Sequence, residues 1–136
     1  MSDTRIFKGK VQYRRENGPV SIEVSSGFSS LGNFRLSYVK NGSFNFVEFG
    51  DEPKRIDDFI PDIFQIPIAL DELADHTIVI LGKYAPAPGK QQIHVVYQFI
   101  QQTEILVLTP PESGVIKESS GGEFFRYTHY FSFEEI

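Results

Sequence analysis

The amino-acid sequence predicts an all-β protein, an antiparallel β-sandwich of about nine strands forming a single domain over residues 1–136. Three observations carry that expectation. Apolar residues recur at every second position in run after run, the period of a half-buried strand rather than a helix. The runs are short and rich in Val, Ile, Phe and Tyr, which suit a pleated surface. Turn residues punctuate them, including Asn-Gly at 17–18 and again at 41–42. Short connections imply antiparallel neighbours, because parallel strands need a crossover of about a dozen residues or more. Two packed sheets are the usual solution for so many strands; a closed or partly closed barrel, which removes the edges, is the alternative.

Each element follows from its own pattern. In residues 4–15, Phe7, Val11 and Tyr13 share one parity and Lys8, Lys10, Gln12 and Arg14 the other. The turn 16–19 should then fold this strand against 19–26, where Val20, Ile22 and Val24 point inward and Pro19 opens the strand. Residues 33–40 alternate Phe34, Leu36 and Tyr38 against Arg35 and Ser37. The Asn41-Gly42 turn should return the chain through 43–50 as a second hairpin. Residues 51–63 break the period: Ile56, Phe59, Ile60 and Ile63 recur at helical spacing. At most one short helical turn near 57–63 is expected there, plugging an open end of the core.

Residues 64–70 alternate again, with Pro67 on the outward parity marking an edge or a bulge. An acidic corner leads to His76, placed where sandwich domains use a polar aromatic to bond back to the preceding corner. The densest apolar stretch, 76–109, reads as three strands of a central antiparallel meander. Its third run, 105–108, is apolar at every position, as expected of a strand covered on both faces. Pro110-Pro111 end it, and Val115-Ile116 suggest a short edge strand. Residues 123–133 form the last strand, with Phe125, Tyr127, His129, Phe131 and Phe133 on one face and Phe124, Arg126 and Tyr130 on the other.

Composition narrows the function. A net charge of -5 argues against a nucleic-acid ligand, which needs clustered Lys and Arg. The charge is uneven: Arg5, Lys8, Lys10, Arg14 and Arg15 crowd residues 1–15, while 51–75 hold eight acids, an opposition able to steer one copy onto another. The chain begins without an apolar leader and no stretch approaches the ~20 apolar residues of a membrane span. With no cysteine it is read as cytoplasmic, without membrane insertion.

No motif announces catalysis. The three histidines, His76, His94 and His129, lack the close spacing of a metal site, and no cofactor or metal is expected. The serines lack a nucleophile elbow, and no phosphate-binding loop occurs. The residues best suited to a ligand are His94 and Tyr97 on one strand with Arg126, Tyr127, His129 and Tyr130 on the last, which together would offer stacking and hydrogen-bonding groups. Their function is therefore expected to be non-catalytic: a β-sandwich binding or assembly module working through its surface, with itself or another protein as partner. The alternatives are a β-barrel that carries a small apolar ligand and, further off, a His/carboxylate enzyme.

Overall fold

A computed structural model of the chain describes residues 4–26, 30–52, 61–119 and 123–136. They form eleven strands: β1 (Thr4–Tyr13), β2 (Val20–Ser26), β3 (Ser30–Lys40), β4 (Val47–Glu52), β5 (Asp62–Gln65), β6 (His76–Pro86), β7 (Gln92–Gln101), β8 (Glu104–Ile105), β9 (Leu108–Thr109), β10 (Val115–Ser119) and β11 (Phe125–Glu135). Two sheets result, with order β4-β3-β6-β11-β1-β9 and β10-β7-β2-β5, β8 lying beside β7. The sandwich is thus open, and the closed-barrel alternative falls.

The alternation assigned the faces correctly along most strands. Val11 and Tyr13, Val20, Ile22 and Val24, Phe34 and Leu36, and Tyr127, His129, Phe131 and Phe133 are all buried between the sheets. Edge-on ring contacts such as Phe99 with Phe131, centroids 5.0 Å apart, join the two layers. Where the expectation failed was in which strands are neighbours.

β1 and β2 are not a hairpin. β1 lies in the first sheet and β2 pairs with β7 and β5 in the second. A 3-10 turn at Arg15–Asn17 and Gly18, at φ 81°, carry the chain between the layers instead. Gln101, 1% exposed, holds this arch: its Nε2 donates to the carbonyls of Arg14 (2.7 Å) and Gly18 (2.8 Å), and the Arg14 N–H donates to its Oε1 (3.0 Å). β1 pairs in parallel with β11, Thr4 opposite Arg126 through Tyr13 opposite Glu135, which corrects the expectation of purely antiparallel pairing. The intervening chain supplies the long crossover that a parallel pair requires.

The meander is corrected in the same way. β6 and β7 fall in different sheets; Pro86, the last residue of β6, and Pro88 in the arch that follows lack the backbone donors that a hairpin ladder would use. β6 is the central strand of the first sheet, flanked by β3 and β11, and Val79 on its outer face is 5% exposed. The run 105–108 is not central. It crosses from β7 to β1 through two-residue ladders, leaving Ile105 63% and Val107 60% exposed while Leu106 and Leu108 pack on the core. An all-apolar run of this length reads the same whether both faces are buried or one is left bare.

The β3–β4 hairpin forms as expected, with a register shift at Leu36/Ser37, although its return strand starts only at Val47. The short helical turn near 57–63 lies for the most part outside the described residues; Asp62 and Ile63 are in β5, and Ile63 is exposed rather than a plug. Of the predicted strand 64–70 only Phe64 and Gln65 are in the ladder, yet Ile66 and Ile68 still face the core. His76 does bond back to its corner, Nδ1 lying 2.8 Å from the Glu72 carbonyl oxygen, so that nitrogen carries the proton. β10 is the expected edge strand. No helix among the described residues is long and apolar enough to cross a membrane.

Candidate functional site

Three of the six candidate residues meet inside the sandwich. Tyr97 comes from β7, and Tyr127 and His129 come from β11 in the facing sheet, each on the inward parity of its strand. His129 stacks on Phe7 (4.7 Å between centroids, 14° between planes) and receives the edge of Tyr97 at 4.8 Å. Tyr84 of β6 completes the group, its hydroxyl 2.5 Å from that of Tyr97. At the rim the Tyr127 hydroxyl donates to Oε2 of Glu118 on β10, while Arg5 Nη2 lies 2.5 Å from Oε1 of the same carboxylate.

Burial sets the chemistry of this cluster. Neither ring nitrogen of His129 has a hydrogen-bond partner among the described residues, and desolvation lowers its pKa from 6.5 to about 4. It is neutral at pH 7. Burial likewise pushes the Tyr97 and Tyr84 hydroxyls above the ordinary tyrosine range; the neighbouring Tyr97 raises Tyr84 further, while the bond from Tyr84 partly opposes the rise at Tyr97. All four rings are at most 1% exposed, so they serve as core with an internal hydrogen-bonding seam.

The other three candidates point away from it. Arg126 and Tyr130 are on the outer face of the first sheet, and His94 is exposed on the outer face of the second, opposite Lys117. A strand sends successive side chains to opposite faces, so Arg126 and Tyr130 cannot join Tyr127 and His129 in one platform. His94 and His129 do not converge, and among the described residues no group of three or more His, Asp or Glu is placed to hold a metal ion.

No protein-family model, curated protein or solved structure matches the chain.

Two surface features remain, and the sequence reading missed most of both. The first is the β3–β4 connection. Phe44 is 91% exposed, Phe46 56% and Val47 45%. The return strand expected over 43–50 would put Phe44 and Phe46 on a sheet face, whereas they lie in the turn, ahead of the first ladder residue. Elsewhere on the outer faces Phe124 and Tyr130 are 52% and 36% exposed, while Phe49 packs against the core. The second is a shallow groove of about 570 Å³ on the outer face of the first sheet, lined by Asn33, Arg35, Leu81, Lys83, Arg126 and Thr128. Its cations come from three strands that are remote in sequence, so no charge run revealed it.

Proposed function

We propose that this chain is a non-catalytic binding or assembly module that works through its surface. The observation that carries the reading is the exposed aromatic turn. A Phe left 91% in water and a second, two residues on in the same turn, left 56% exposed are what a contact surface presents before its partner covers it. Among the described residues, the aromatics that would line a ligand cavity in a barrel pack into the core instead. An enzyme built on His94 and His129 loses its basis, because His94 is exposed on the outer face of the second sheet while His129 is buried between the sheets.

The test is a photo-crosslinking residue, p-benzoylphenylalanine, in place of Phe44, with the chain produced at low level in its own cells. Irradiation is expected to give a covalent adduct to a protein, either another copy or a different chain. No adduct from Phe44, nor from the same substitution at Tyr130 or Leu81, would overturn the reading.

A further inference from the structure

We infer that copies of this chain associate head to tail, the aromatic turn and acidic corner of one seating on the cation-rimmed groove of the next. The inference rests on the surface-acting reading and names its partner, a second copy.

The donor end is preformed. Thr77 donates to the Asn41 side chain (2.6 Å), the Asn41 N–H donates to the Asp75 carbonyl (2.8 Å), and the Ser43 N–H donates to the Lys40 carbonyl (2.9 Å). These bonds fasten the turn that carries Phe44 and Phe46 to the corner 71–75, where Asp71, Glu72 and Asp75 are exposed. One end of the molecule thus presents exposed aromatic rings beside three carboxylates. Because the turn is already fixed, little ordering entropy opposes docking.

The acceptor has the complementary character. Lys83 and Arg126 stand directly opposite one another on β6 and β11, and like charges so placed repel. Neither forms an ion pair among the described residues; Lys83 lies 5.3 Å over the Phe124 ring. Arg35, on the other side of β6, reaches Glu48 only at 3.8 Å. An incoming carboxylate would relieve the Lys83–Arg126 repulsion and complete the set. Between the cations sits Leu81, 51% exposed, with Ile6, 62% exposed, two strands away in the same row, an apolar floor for the incoming rings.

The two ends cannot meet within one molecule, nor in a symmetric pair that uses a single patch. The turn leaves the sheet where Lys40 faces His76, and the groove lies where Asn33 faces Lys83. That separation is seven residues of strand, about 23 Å at 3.3 Å per residue. Two copies that exchanged both contacts reciprocally would close as a pair. Where each pair shares a single turn–groove contact, the contact is heterologous and leaves one turn and one groove free at each step, so it extends into rings or filaments.

Sedimentation equilibrium of the full chain tests this directly. The weight-average mass is expected to climb past the dimer as concentration rises. Phe44→Ser with Phe46→Ser destroys the donor, and Lys83→Glu with Arg126→Glu destroys the acceptor. Each doubly substituted chain alone should stay monomeric, its dissociation constant raised at least about thirty-fold. Mixed in equal amounts they should form a two-chain complex and stop there, since each supplies the half that the other lacks. All of these positions are exposed, and an unchanged urea midpoint confirms the fold of each variant. A wild-type chain that is monomeric at millimolar concentration overturns the inference, as does a mixture that stays monomeric or association that survives both substitutions. If the wild type is monomeric while Phe44 crosslinks to a different protein, the surface-acting reading stands and the head-to-tail contact falls.

Discussion

Gln101 and the main chain of Arg14 exchange two hydrogen bonds, side-chain amide against peptide, across the arch that takes the chain from one sheet to the other. With the third bond, to the Gly18 carbonyl, one buried side chain satisfies three backbone groups of a turn that has no ladder of its own. Gln101→Ala is expected to cost about 2–4 kcal/mol in urea unfolding, because buried peptide groups are left without partners. Gln101→Leu, which restores the volume but not the bonds, should recover little. A loss below about 0.5 kcal/mol would mean that water replaces the amide.

His129 makes stability depend on acid. Its folded pKa is about 4 against 6.5 in the unfolded chain, so the unfolded state binds more protons between those values. The contribution is intact above pH 6.5 and is lost as pH falls from there toward 4. The full loss is about 3 kcal/mol, at 1.36 kcal/mol per unit. His129→Phe removes two nitrogens that have no hydrogen-bond partner among the described residues and should flatten this acid limb while leaving the fold at least as stable at pH 7. Urea titrations at pH 7 and pH 4.5, native against variant, compare the two slopes.

The Tyr84–Tyr97 pair should show coupling. Removing one hydroxyl, by Tyr84→Phe or Tyr97→Phe, leaves the other buried and unpartnered at a cost of about 1–2 kcal/mol. Removing both should cost less than the sum of the two, and a double-mutant cycle measures the difference. Strict additivity would show that the contact contributes nothing.

Gly32 has no room for a side chain. Its φ is 155°, and a Cβ there would lie 2.0 Å from the Lys83 carbonyl oxygen in the neighbouring strand β6. Gly32→Ala must therefore part β3 from β6, and a loss of more than about 2 kcal/mol is expected in thermal or urea unfolding.

How much of this was legible in the sequence depends on the range of the interaction that decides it. Alternation is local, so the inward faces of β1, β2, β3 and β11 were readable, and so was the Asn41-Gly42 hairpin. Sheet membership is not local. Residues 4–26 look alike whether they fold back as a hairpin or arch between layers, and the side chain that fastens the arch, Gln101, lies far along the chain and is unremarkable in its own window. The same limit governs the site. Parity alone already separated Tyr127 and His129 from Arg126 and Tyr130, yet it could not bring Arg35, Lys83 and Arg126 to one groove, which took the order β3-β6-β11. Phe44 reads as part of a partly covered strand face, because alternation continues through 43–50 in the sequence while the ladder begins only at Val47.

The position of β11 between β6 and β1 sets a timetable for the newborn chain. β1 leaves the ribosome first, yet Thr4 must wait for Arg126, about 120 positions later, which at 5–20 residues per second is on the order of ten seconds. Until then β3, β4 and β6 can zip together from nearby sequence, while β1 has little beyond the two-residue ladder to β9. Synthesis halted before residue 125 should therefore yield a chain in which Thr4–Tyr13 is open to protease, and release of the last strand should close it together with the whole sheet.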